Sequence, residues 1–210
     1  MYDRIQILPK FDSWQSLPRE HRGKSIRKED KVLKGKKVLL RPVKRSDISL
    51  FLKWFNDPEV TQYLVMYLPM TEMAEEKWIE ELATTRAGSD VVFIIEVKTG
   101  ELTKPIGNCG LFRINHKDQT AEFGIAIGEK DCWGKGYGTE ATRLLVDYGF
   151  KQLNLHRISS PVFEFNERSI KLHQKVGFQE EGRRRQARFK NGQFWDEVLF
   201  GLLRNEWSKD

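Results

Sequence analysis

The sequence predicts an α/β (α+β) fold, one twisted sheet with helices on its faces. Three observations lead there. Strand-like and helix-like stretches alternate in the order β-α-α-β-β-β-α-β-α-β-β, a mixed order that a single helix-covered sheet accommodates. The 210 residues are 39% hydrophobic and 11% aromatic, enough to bury one core without staples. The last two strands meet at Asn191-Gly192, a strong two-residue hairpin signal. There is no internal repeat and no low-complexity tract.

Taken in order, Val38-Leu39-Leu40 is a short strand. Ser46 is placed to cap a helix whose Ile48, Phe51, Leu52 and Phe55 share one face, and Asn56-Asp57-Pro58 ends it. A second helix starts near Thr71, with Met73, Trp78, Ile79 and Leu82 as its apolar residues. Strands follow at 91–97, 105–113 and 119–128, then a long helix over 137–152. A strand over 157–165 leads to a helix over 167–176, with Asn166 as its cap and Gly177 as the left-handed residue after it. The closing strands cover 181–190 and 195–203.

Residues 1–35 differ from the rest. They mix charges of both signs with scattered apolar residues and hold no 2.0 or 3.6 period. They read as an arm, packed by Phe11, Trp14 and Leu17 or partly mobile, preceding one domain over 36–207. Cys109 and Cys132 form neither a disulfide framework nor a zinc site, and no metal-ligand spacing is present. The N-terminus lacks an apolar signal core, and no apolar run reaches membrane-spanning length. A cytoplasmic, reducing location with no membrane partner is the expectation. The formal charge of +6 and pI near 9.2 suit a polyanion or simply a solvated basic surface.

The most informative stretch is Trp133-Gly134-Lys135-Gly136-Tyr137-Gly138-Thr139-Glu140. A strand, Phe123 to Gly128, leads into three glycines at alternate positions, which open a helix whose Ala141, Leu144, Leu145 and Tyr148 recur at helical spacing. Glycines let backbone N–H groups approach a phosphate, and the helix start offers unpaired donors with partial positive charge. Lys135 adds a full charge. A ligand-free β-to-α turn is the plain alternative. The stretch lacks the Gly-Lys-Ser/Thr ending of a P-loop and the dinucleotide fingerprint.

Trp133 to Gly138 resembles the pyrophosphate loop of the GNAT N-acetyltransferases, usually Gln/Arg-x-x-Gly-x-Gly/Ala, with Trp133 departing from the first position. The Trp-Gly-x-Gly-Tyr form resembles the branch that includes ribosomal-protein alanine and serine N-acetyltransferases. So do Trp54-Phe55-Asn56-Asp57-Pro58-Glu59-Val60, the run from Leu155-His156-Arg157-Ile158 to Asn166-Glu167-Arg168-Ser169, and Lys175-Val176-Gly177-Phe178 before Glu181-Gly182. The resemblance covers 36–207 and implies a mixed, mostly antiparallel sheet with helices on both faces. It further implies acetyl-CoA as co-substrate, with Ile125, Ala126, Ile127, Trp133, Gly134, Lys135, Gly136, Tyr137, Gly138, Thr139 and Asn166 as its binding residues. A homodimer is compatible with it.

The resemblance also puts a proton donor for the leaving thiolate where this chain has His173. Histidine can act as an acid near neutral pH, and a plain helix histidine is the alternative. The acceptor amine must lose a proton before attack. A lysine-type amine is neutral in only about one molecule in two thousand at pH 7, an α-amine in about one in seven. Glu122 is the candidate base. Ala121, Phe123, Ile125 and Ile127 share one strand face, while Glu122 shares the other with the small Gly124 and Ala126. An ordinary ion pair is the other reading of Glu122.

The acceptor is expected to be a primary amine, foremost the N-terminal α-amine of a protein such as a ribosomal protein. A small polyamine such as spermidine is the alternative, since Lys190 to Asp196 also resembles polyamine acetyltransferases. A non-catalytic acyl-CoA-binding module is the alternative of another class. Arg183-Arg184-Arg185, with Arg188 and Lys190, is the densest basic cluster. On a strand its side chains alternate between faces, so no specific nucleic-acid partner is expected.

Overall fold

The computed structural model describes residues 33–99 and 102–207. Of the expected arm, residues 1–32 lie outside this range. Leu33–Lys34 (β1) pairs with Val38–Pro42 (β2).

The helices Ile48–Phe55 (α1), Pro58–Thr61 (α2) and Glu72–Ala83 (α3) follow. The entry to α1 departs from the sequence reading. The Asp47 carboxylate accepts two guanidinium hydrogen bonds from Arg41, at 2.7 and 2.8 Å, and the Lys44 N–H at 2.8 Å. That buried knot closes a 3₁₀ turn over Arg45–Asp47, and Ser46 lies inside the turn instead of capping the helix. Asp57 and Pro58 do end α1, but they also start α2: Asp57 accepts the Glu59 N–H at 2.9 Å, and Pro58 takes the first helical position. Helix α3 starts near Thr71 as expected, and the Thr71 hydroxyl caps it by accepting the Ala74 N–H.

Strands Val91–Thr99 (β3), Leu102–Asn115 (β4) and Thr120–Ile127 (β5) precede helix Tyr137–Lys151 (α4). Strand Arg157–Phe163 (β6), helix Glu167–Val176 (α5) and the hairpin Gln179–Lys190 (β7) with Gln193–Leu203 (β8) complete the chain. Asn191 and Gly192 both take positive φ, 53° and 83°, as a tight hairpin turn demands. The eight strands lie in the order β1-β2-β3-β4-β5-β6-β8-β7. Neighbours are antiparallel except β5 and β6, which α4 joins as a crossover.

One face of the sheet carries α4 and α5 over a core that includes Phe123, Ala141, Leu145, Ile158, Val176, Phe178 and Phe200. The other carries α1 and α3, whose Phe51, Trp54, Trp78 and Ile79 close over Ile94. Gly128, just past β5, admits no side chain: a Cβ there would come within 2.0 Å of the Trp54 ring. This contact seats α1 against the end of β5.

Candidate active site

The parallel pairing of β5 with β6 stops after Thr120↔Arg157, Ala121↔Ile158 and Glu122↔Ser159. Beyond that point the two strands splay, and the Ser160 hydroxyl donates across the gap to the Phe123 carbonyl at 3.2 Å. The Gly128 N–H turns to the Ile106 carbonyl on β4 at 2.9 Å, whereas the Ile127 carbonyl accepts from Trp133 Nε1 at 2.7 Å. Backbone alternation along β5 therefore aims the N–H and C=O of Ile125 into the opening.

A cavity of about 730 Å³ fills the splay. Of the candidate site residues, it brings together Glu122, Ile125, Ala126, Ile127, Trp133, Gly134, Gly136, Tyr137, Gly138, Thr139, Asn166 and His173. Lys135 is exposed and lies outside the lining. Gly134 and Gly136 adopt φ of 73° and 82°, and no atom stands within 4 Å of where a Cβ would sit. No side chain caps the start of α4. A helix start that is left-handed at its cap, uncapped and open is built for an anion.

Asn166 accepts the Ser169 N–H at 3.2 Å and so caps α5 at the cavity edge. His173, about two turns further, is 1% exposed. Its ring stacks on Phe200 at 5.0 Å and meets Phe123 and Phe178 edge-on. Nδ1 lies 2.7 Å from the Ser169 carbonyl oxygen, so it carries the proton and donates. Nε2 is buried without a partner. Burial pushes the His173 pKa down from 6.5 to about 4, against the raising effect of the Ser169 bond. At neutral pH Nε2 is then a bare lone pair, an acceptor. In this geometry the neutral ring carries its proton on Nδ1, facing Ser169, and not on Nε2.

Glu122 sits where β5 and β6 part. Its carboxylate accepts from Arg113 at 2.6 Å, and the Arg113 side chain is 79% exposed. Arg113 occupies a break in the β4–β5 register and has φ of 52°. Its N–H is held by Asp90 at 2.9 Å. The bulge re-aims the arginine onto the Glu122 carboxylate. The ion-pair reading of Glu122 thus exists alongside its access to the cavity.

Sequence reasoning missed a second carboxylate. Glu197 on β8 is buried, lines the cavity, and is clamped by Arg184 at 2.9 Å and Arg188 at 2.5 Å. The Arg188 and Glu197 positions share the β7–β8 hairpin, yet a second break in register, between Arg184 and Arg188, brings both arginines onto one carboxylate. That break had no signal in the alternating pattern. Tyr63, edge-on to Trp133 at 6.2 Å, was missed too, because the stretch after α2 has no periodicity.

Comparison with known proteins gives the same picture. Residues 37–179 match the model of the acetyltransferase (GNAT) domain. The chain is 34% identical to an uncharacterized N-acetyltransferase, p20, of Bacillus licheniformis, over 84% of this chain and 98% of that protein. It is 31% identical to the spermidine N(1)-acetyltransferase of Escherichia coli strain K12, over 81% of this chain and 88% of that one. A spermidine N-acetyltransferase from Vibrio cholerae, solved with CoA and spermine, superposes with a TM-score of 0.76 at 25% identity, over 82% of this chain and 98% of that one. The ribosomal-protein-S5-alanine acetyltransferase from Vibrio fischeri shares the fold, with a TM-score of 0.73 at 21% identity, over 85% and 99% of the two chains. With a splayed β5–β6 pair, an open glycine loop at the start of α4 and a domain match across most of its length, the chain belongs to the GNAT acetyltransferase family.

Proposed function

We propose that this acetyltransferase moves the acetyl group of acetyl-CoA onto the N-terminal α-amine of a protein, such as a ribosomal protein. The observation that carries the choice of acceptor is the state of the two cavity carboxylates. Glu122 is paired with Arg113, and Glu197 with Arg184 and Arg188. Three guanidinium groups face two carboxylates, so this end of the cavity has no surplus negative charge. A polyamine carries several positive charges at pH 7 and needs such a surplus. An α-amine carries at most one.

The residues fit the co-substrate. The open backbone from Gly134 to Thr139 would hold the pyrophosphate, and Ile125 to Ile127 with Asn166 would hold the pantetheine arm. When bound, acetyl-CoA supplies a thioester whose acyl carbon can accept an amine. The Ile125 N–H faces the opening and is placed to stabilise negative charge on an acyl oxygen. Glu122 removes the proton from the acceptor ammonium, directly or through one water. His173, fixed by Ser169 and Phe200, keeps Nε2 buried and is given no proton-transfer step. No covalent enzyme intermediate is needed, and burial pushes both cysteine thiols up, away from the reactive thiolate.

The relatives that act on spermidine support a second reading, a small polyamine as acceptor. The test is a panel of acceptors with acetyl-CoA and detection of released thiol: peptides with free and blocked N-termini, spermidine and spermine. The expected result is a kcat/KM for free-N-terminus peptides at least about tenfold above spermidine, with blocked peptides inert. Preference for spermidine would replace the first reading with the second. Tight CoA binding without transfer to any amine would mark a binding module.

A further inference from the structure

Position 133 poses a chemical problem for the anion loop. The family pattern carries Gln or Arg there, and this chain has Trp133. The single indole N–H is already spent on the Ile127 carbonyl at 2.7 Å, so Trp133 offers a phosphate nothing. A second element fills the gap. The Arg168 guanidinium, from the first turn of α5, lies over the Trp133 ring at 4.9 Å from its centroid. Both residues line the 730 Å³ cavity. Among the described residues no carboxylate pairs with Arg168, while the neighbouring Lys171 is paired with Glu167 at 3.0 Å.

An indole face holds a guanidinium by its quadrupole and leaves the in-plane N–H donors free. Trp133 is itself anchored by its bond to Ile127 and by the edge of Tyr63. The stack therefore presents an oriented, uncompensated cation at the entrance of the glycine loop. From this we infer that Arg168, seated on Trp133, is a phosphate-binding residue that contacts the pyrophosphate of CoA and takes over the role of the side chain missing at position 133. The inference rests on the reading of the 133–138 loop as the CoA site.

Calorimetric titration of the full chain tests it without using activity. Wild type, Arg168→Gln, Arg168→Lys and Trp133→Phe are titrated with CoA and with dephospho-CoA, which lacks the 3′-phosphate. Loss of a charge-assisted contact should weaken CoA about ten- to a hundredfold in Arg168→Gln, and dephospho-CoA by the same factor. The slope of log Kd against log salt should fall in that variant. Arg168→Lys should recover part of the affinity, and Trp133→Phe should keep most of it, since a ring face remains. Melting temperatures check that each variant folds. Unchanged CoA affinity in Arg168→Gln, beside normal wild-type binding, overturns the inference and leaves the loop assignment standing. A loss confined to CoA and absent with dephospho-CoA overturns the pyrophosphate assignment in favour of the 3′-phosphate. Absence of CoA binding by wild type would instead overturn the reading of the loop.

Discussion

Two side chains decide how protons move, and they sit in opposite environments. Glu122 lines the cavity and its side chain is itself 32% exposed, so as a base it can pass a proton on to solvent water. Glu122→Gln should keep CoA affinity and lower kcat/KM by about a hundredfold or more at pH 7, the usual worth of a general base. The defect should shrink toward pH 10, where neutral amine no longer needs help. Parallel pH profiles with near-equal rates, in a variant whose melt is normal, would leave Glu122 as an ion-pair partner of Arg113 only. His173 is sealed among aromatic rings and titrates near 4 instead of 6.5. Its folded pKa is depressed, so the unfolded chain binds a proton that the native protein refuses between pH 6.5 and 4. Its contribution to stability is complete above 6.5 and is lost as pH falls toward 4, by about 3 kcal/mol in full. Buried Glu75 pulls the other way, since desolvation raises its pKa to about 7 and its cost grows as pH rises from 4.5. The difference between variant and wild type isolates each group. Urea melts of His173→Phe should lose less stability on acidification from pH 7 to 4.5 than wild type, and equal losses would count against the buried neutral histidine.

At the scale of elements, β5, the glycine loop and α4 act as one unit. β5 ends in a splay, Gly134 and Gly136 turn the chain with positive φ, and α4 starts uncapped. Gly136→Glu should abolish CoA binding, because a side chain strained at φ of 82° puts a carboxylate where the anion belongs. Unchanged calorimetric affinity in that variant would remove the loop from the cofactor site. This unit was legible in the sequence because glycine spacing and helical period are local signals. So were the start of α3 near Thr71, the cap at Asn166 and the turn at Asn191-Gly192. The 3₁₀ turn before α1 was not, because it depends on Arg41 reaching Asp47 from another element. The same limit hid the partners of the two cavity carboxylates, since Arg113 meets Glu122 and Arg188 meets Glu197 across register breaks in β4 and β7. A period-2 pattern reads which face a strand residue takes, and a one-residue break changes that face without changing the composition.

For the molecule as a whole, the excess of six positive charges raises the question of nucleic acid. The densest basic stretch, on β7, is largely spent within the fold. Arg183 pairs with Glu180 at 2.8 Å, Arg184 and Arg188 share Glu197, and Lys190 donates to the Leu64 and Met66 carbonyls at 3.0 and 2.6 Å. A cluster most of whose charges are already engaged by groups of the fold presents no continuous track for a phosphate backbone. The remaining excess should attract polyanions only through summed charge. We therefore expect RNA and DNA to bind with Kd no tighter than about 1 µM at physiological salt, without sequence preference, and with affinity falling steeply as salt rises. Arg183→Ala and Arg185→Ala should each weaken that binding by similar small factors on every sequence. Nanomolar binding to one RNA sequence at physiological salt, well above that of scrambled controls, would show that β7 reads nucleic acid and that its internal ion pairs open to do so.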